Sequence, residues 1–230
     1  MKQTIIILFI LPIILFAQPY VFSGGKDNIV QIIASKILEK AYQKANLEME
    51  PIFMPLEESL QRSNTGKTDG ELGRIAKINK LYPNLLQVPV SVASVEAVAF
   101  SKDTTLNIQN WDDLIGHKLT IIKGAKFIEL GTKGIDKESV ISFAEAIERL
   151  KNDQTEIVVA PKLAGVGILH KKRYQDIKTV SPTIQRLKLY HFVHKKNSHL
   201  IPIITPILQE MKQNGEIDYI RNSYLRSITR

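Results

Sequence analysis

Short β-favouring runs alternate with segments of helical periodicity along nearly the whole of this 230-residue chain. That order admits few folds. A strand, a helix and a second strand make a crossover, so the strands run parallel and helices cover the sheet faces. Residues 20–22 read as a strand and Ser23-Gly24-Gly25 as a turn. Asp27 or Asn28 is placed to cap a helix reaching Lys44, with Val30, Ile33, Ile37, Leu38 and Ala41 at three- and four-residue spacing. Strands are expected over 51–55, 69–72, 85–90 and 95–100, with a helix over 56–63. A second block follows from about Thr104. Trp111 to Leu114 is a helical turn, 119–122 a buried strand, and Gly124-Ala125 the start of a short helix. Ser142 and Glu145 have capping-box spacing ahead of Phe143, Ile147 and Leu150. A central strand over 157–160, a helix over 163–170, an edge strand over 177–180 and a last strand over 187–193 complete the block. Ser198 opens a long helix with Leu200, Ile203, Ile207 and Met211 on one face, kinked at Pro206 and ended by Gly215.

The chain starts with Lys2, an apolar run from Ile5 to Phe16, and a cut site at Ala17. This is the layout of a cleavable secretory signal peptide over residues 1–17, and it implies export to the periplasm. The run falls short of the about 20 residues of a membrane helix, and an uncleaved N-terminal anchor is its other reading. Cysteine is absent, which removes disulfides, thiol nucleophiles and thiolate metal sites. The net charge of +8 comes from lysines and arginines scattered singly or in short groups such as Lys171-Lys172-Arg173 and Lys195-Lys196. Without a basic run or interleaved aromatics the chain lacks a nucleic-acid platform, and its positive field favours small anionic solutes.

No catalytic motif is present: neither a Gly-x-Ser-x-Gly elbow nor a phosphate loop occurs. His191 and His194 stand at odd spacing in an expected strand, so they face opposite sides and make no metal pair. No cofactor and no metal are expected.

Three segments in order carry a family likeness. Asn64-Thr65-Gly66-Lys67-Thr68-Asp69-Gly70 with Arg74, Trp111-Asp112-Asp113-Leu114-Ile115-Gly116-His117-Lys118-Leu119, and Tyr190-His191-Phe192-Val193-His194-Lys195-Lys196 together resemble the periplasmic solute-binding proteins of the amino-acid-binding type, receptors of ABC importers. The resemblance implies a two-lobed α/β fold, with lobe one over 18–101 plus 186–230 and lobe two inserted over 102–185. It also implies a monomer that closes around a small amino-acid-like or carboxylate ligand. Two arginines of that family are absent: Glu57 and Glu58 follow Pro55-Leu56, and residues 91–94 hold none.

In such a receptor the ligand contacts lie where strand ends face the cleft. Arg74 is therefore the leading ligand-binding residue, its fork able to hold a carboxylate bidentately; pairing with Glu71 is the alternative. Gly124, Ala125 and Lys126 open a helix whose free N–H groups suit an anion, or else form a plain turn. Ser23 offers a hydroxyl and Phe22 a stacking ring, against a turn and a core role. Glu57, Glu58, Glu71 and Glu96 are the acids able to meet a ligand ammonium or form an acid/base pair. Three other readings stay open: a periplasmic dehydratase of cyclic acids on the same scaffold, a ligand-sensing partner of a membrane sensor kinase, and an interaction module without a ligand.

Overall fold

The computed structural model describes residues 18–228, so the expected leader over 1–17 lies outside the described residues. The first half runs β1 (Tyr20–Gly25), α1 (Ile29–Lys44), β2 (Met49–Met54), α2 (Leu56–Asn64), β3 (Gly70–Ile75) and β4 (Leu85–Ser101). It continues with β5 (Leu119–Ile122), α3 (Lys126–Gly131), β6 (Glu138–Val140), α4 (Phe143–Lys151), β7 (Ile157–Pro161) and α5 (Lys162–Lys172). The chain ends with β8 (Lys178–Thr179), β9 (Gln185–His194), α6 (Leu200–Gln213) and α7 (Glu216–Ile228).

The strands join in the order β2-β1-β3-β9-β4-β7-β5-β6, with β8 paired to β4. β1 is parallel to β2 and β3, and β5 is parallel to β6 and β7, as the crossover pattern requires. Between these two parallel sets lie β9 and β4, antiparallel to their neighbours. These two strands feed both cores. Val88, Val90, Val92 and Val193 pack with α1 and α6 residues such as Ile37, Leu38 and Leu208. Val95, Ala97, Val98, Ala99, Phe100 and Leu189 pack instead with Ile121, Val159 and Ile147. Each fully buried side chain of this size is worth roughly 1.5–3 kcal/mol, so either cluster is a core in its own right.

Local chemistry explains the element limits. Asn28 caps α1 by accepting from the Val30 N–H at 3.1 Å, and Ser142 caps α4 by accepting from Glu145 N–H at 3.1 Å. Three expectations are corrected. β4 is one strand, not two; it passes Pro89, an exposed residue without an N–H, at a register shift against β9 that a sequence pattern reads as a break. The buried face of α6 is Leu200, Ile204, Leu208 and Met211, while Ile203 is 41% exposed. Both sets have helical spacing, and packing on β4 selects between them. Ser23, Gly24 and Gly25, read as a turn, instead continue β1 and pair with Ile52, Phe53 and Met54 of β2; the short edge strand β6, not expected, has too few residues to show a period of two.

Candidate functional site

The strand ends that precede α1, α2 and α3 converge on one place between the two cores, and β3 delivers Arg74 there. A cavity of about 40 Å³ lies at the meeting point, lined by Asn28, Gln31, Leu56, Arg74, Gly124, Lys126 and their neighbours.

The geometry of β3 creates the site. Glu71 pairs with Phe192 and Arg74 with Tyr190, so three residues of β3 advance where β9 advances two. In a regular strand, positions three apart face opposite sides. The extra residue is a β-bulge, and it turns Glu71 and Arg74 to the same side. Arg74 Nε then donates to Glu71 Oε2 at 2.7 Å. A bulge leaves backbone carbonyls outside the ladder, and side chains take them up here. Gln31 Nε2 donates to the Gly73 carbonyl at 2.7 Å, and His191 Nδ1 meets the Glu71 carbonyl at 2.8 Å. A carbonyl only accepts, so Nδ1 carries the proton. Burial lowers the His191 pKa to about 4, outweighing the bond to Glu71 that raises it. The ring is therefore neutral, and its Nε2 accepts from the Tyr42 hydroxyl at 3.0 Å.

Glu71 is fully buried. Its Oε1 accepts from Ser59 and Ser63, each at 2.7 Å, which fixes the carboxylate that aims Arg74. The rest of the guanidinium joins α2 to the β5–α3 loop: Nη2 donates to the Leu56 carbonyl at 2.9 Å and Nη1 to the Gly124 carbonyl at 3.3 Å. Gly124 has φ +87, and a Cβ there would lie 2.3 Å from the Glu57 nitrogen, so only glycine permits this approach of the β5–α3 loop to α2.

A second cation crosses the same gap. Lys126 Nζ lies 2.7 Å from Glu57 Oε2 and 2.8 Å from Glu129 Oε2, and 5.9 Å from the centroid of the Tyr82 ring. Glu57 Oε1 accepts from Tyr82 and Gln61, each at 3.1 Å. Desolvation pushes the Glu57 carboxyl up, but bonds from Lys126, Gln61 and Tyr82 outweigh it and hold the pKa below the usual range. Desolvation likewise works against the Lys126 charge, and Glu129 and Glu57 more than offset it.

Of the residues singled out in the sequence, Arg74, Gly124, Ala125 and Lys126 line the cavity together. Glu71 stands behind Arg74 rather than in the cavity. Phe22 is corrected to a core residue: it is fully buried, edge-on to the His191 ring with centroids 4.6 Å apart. Ser23 is corrected likewise, since its hydroxyl is fully buried, 3.2 Å from Thr68 Oγ1. The amides expected to await an anion are engaged within the loop: Gly124 N–H donates to Glu129 Oε1 at 2.6 Å and Ala125 N–H to the Ile122 carbonyl at 3.1 Å. Glu96 is away from the cavity, paired with Arg186. Asp69 of the glycine-rich motif is structural: it accepts from Val21 N–H and Asn197 Nδ2, each at 2.8 Å, and joins β1 to the segment after β9. Sequence reading missed Gln31 and Glu57's pairing with Lys126; an α1 residue one turn past the cap was the available signal for Gln31. No cluster of metal-ligating side chains occurs among the described residues, and no helix among them is long and apolar enough to cross a membrane.

Comparison with known proteins places this geometry. No protein-family model matches the chain. An uncharacterized protein of Shewanella oneidensis is 23% identical over 163 residues, covering 66% of this chain and 60% of that protein. Among solved structures, the chain is similar to a mutant of ArgBP from T. maritima, with a TM-score of 0.75 at 15% identity over 90% of this chain and 95% of that one. It is similar to a histidine kinase sensor domain that itself resembles periplasmic binding proteins, with a TM-score of 0.78 at 17% identity over 90% and 96%. It is also similar to an amino acid ABC transporter substrate-binding protein from Streptococcus pneumoniae bound to L-arginine, with a TM-score of 0.72 at 16% identity over 90% and 94%. The chain has the two-lobed α/β fold of periplasmic binding proteins, with its cleft between the lobes. These structural neighbours are binding proteins and a sensor domain.

Proposed function

We propose that the chain is an exported receptor that captures a small, amino-acid-like polar solute between its lobes and changes shape as it does so. Lobe one takes in 18–101 and 186–230, lobe two 102–185, and the hinge lies where β4 and β9 pass between the two cores. The observation that carries this reading is Arg74: a bulge and a buried carboxylate hold its guanidinium at the lobe boundary, where it reaches carbonyls on both sides. A group held so firmly across a gap is suited to a ligand that replaces one of those carbonyls.

The cleft favours binding over catalysis. An acid/base pair needs a carboxyl that is protonated near neutral pH. Glu71 is committed to Arg74, and Glu57 is held ionised beside Lys126. The partner in the membrane is an importer or a sensor kinase, and the similarity to a sensor domain keeps the second reading beside the first. Native mass spectrometry of the protein purified from its own host tests the proposal. A retained small molecule that raises the melting temperature of the wild type, and fails to do so with Arg74→Ala, supports it. A retained molecule that stabilises both forms equally places the site elsewhere.

A further inference from the structure

The cleft is nearly shut, and a side chain of the protein fills part of it. The cavity of about 40 Å³ holds a few waters, far below the roughly 300 Å³ at which small-molecule pockets begin. The ammonium of Lys126 comes from lobe two, yet it is seated on lobe one against Glu57 and the Tyr82 ring, with its side chain 14% exposed. A carboxylate beside an aromatic face is a receptor for an organic cation. What the cleft leaves unmet is acceptor capacity. Glu57 Oε2 is met by the Lys126 ammonium at 2.7 Å, and Gln31 Oε1, on a residue 3% exposed that lines the cavity, has no hydrogen-bond partner. The Gln31 amide is oriented by the bond its Nε2 makes to Gly73, so the orphan atom is the oxygen. Three carboxylates, of Glu57, Glu71 and Glu129, meet two cations, of Arg74 and Lys126, which leaves one negative charge in excess.

We propose that Lys126 is a place-holder for the solute's own cation: the site on Glu57 and Tyr82 selects an organic ammonium or guanidinium, and Lys126 occupies it while the receptor is empty. This rests on the receptor reading above and names the solute class for that same cleft. It reverses the anion preference suggested by the net charge: the charged residues lining the cavity are the cations Arg74 and Lys126, and withdrawal of Lys126 leaves the carboxylates of Glu57 and Glu129 unpaired behind it. A solute binds only after Lys126 withdraws, so its apparent affinity is reduced by the fraction of molecules in which the subsite is free.

The test uses the mature chain, three cationic probes (L-lysine, L-arginine and putrescine) and succinate as the dianion, titrated calorimetrically into wild type, Lys126→Met and Lys126→Met/Glu57→Gln. Lys126→Met keeps the length of the stem and removes the competitor. At least one cationic probe is expected to bind it tenfold or more tightly than wild type, with the gain lost in the double variant and succinate unimproved. The absence of any gain among the cations, or tighter succinate binding by wild type than by Lys126→Met, overturns the proposal. Solution scattering of the empty proteins gives a readout that needs no solute. Lys126→Met and Glu57→Gln are each expected to be more expanded than wild type, and unchanged profiles in both overturn the place-holder role. A solute that binds wild type through Arg74 while Lys126→Met behaves identically refutes only the role of Lys126. Failure of every variant to bind or change shape with any solute refutes the receptor itself.

Discussion

Neutralising Glu71 in place should expose how strongly the bulge of β3 is tied to the charge it presents. Glu71 is 0% and Arg74 6% exposed at their side chains, with Nε and Oε2 2.7 Å apart. At an effective dielectric of about 20, such a pair attracts by about 6 kcal/mol before desolvation is set against it. Glu71→Gln keeps the volume and an acceptor for Ser59 and Ser63, but it leaves the Arg74 charge buried beside a neutral amide. Removing one partner of a buried pair costs roughly 3–5 kcal/mol, a large part of the roughly 5–15 kcal/mol that holds a domain together. Arg74→Met strands the carboxylate in the same way. Combining Glu71→Gln with Arg74→Met removes both charges, so the double variant should lose at least about 2 kcal/mol less than the sum of the single losses. Urea unfolding followed by circular dichroism measures all four proteins. Additivity within about 0.5 kcal/mol would show that the two charges do not depend on each other, and the positioning role of Glu71 would fall.

Gly124→Ala places a Cβ where the Glu57 nitrogen already lies at 2.3 Å; the left-handed backbone costs about 1 kcal/mol of stability, and the closed approach of the lobes is blocked. Solute affinity by calorimetry should therefore fall at least about tenfold while the melting temperature moves only a few degrees, and unaltered affinity would place the closing surface elsewhere. Burial holds the His191 pKa at about 4 in the folded protein, against about 6.5 for an ordinary imidazole. The unfolded chain binds the extra proton in that window, so stability is lost as pH falls from above 6.5 through about 4. The loss approaches about 3 kcal/mol relative to His191→Gln, which retains a donor for the Glu71 carbonyl and an acceptor for Tyr42. Urea denaturation of both proteins at neutral pH and near pH 4 measures the difference, and parallel losses would mean that His191 is not the buried base described here.

The order of elements was legible because alternation, caps and turns are local. Asn28, Ser142 and the apolar stripe of α1 act within a turn or two of themselves, and each sits where its residue type suggests. What failed depended on neighbours that a sequence does not display. Ile203 and Ile204 fit a helical stripe equally well until α6 packs on β4. Pro89 reads as a break until β9 accommodates it at a register shift. The position of Arg74 was readable from the motif that precedes it. Its orientation was not, since a single bulge decides which side Glu71 and Arg74 share. Phe22 lies in the expected strand, while Ser23, expected in a turn, continues it; both are buried because β1 is flanked by β2 and β3. The union of Glu57 with Lys126 joins residues far apart in the chain and exists only once the fold brings the starts of α2 and α3 together.

The distance between the lobes is the most direct test of a receptor that works by moving them. The natural chain has no cysteine, so Glu58→Cys on α2 and Lys133→Cys beyond α3 allow a spin label on each side of the cleft without competing thiols. Both positions are exposed. Pulsed electron resonance of the labelled protein should give a narrow short distance in the empty wild type, a broader and longer distribution once Lys126→Met is added, and a narrow one again when a cationic solute binds that variant. One distribution, identical in all three samples, would contradict the account: the lobes would then be a rigid pair, and the cleft at Arg74 would not be a site that opens to admit a ligand.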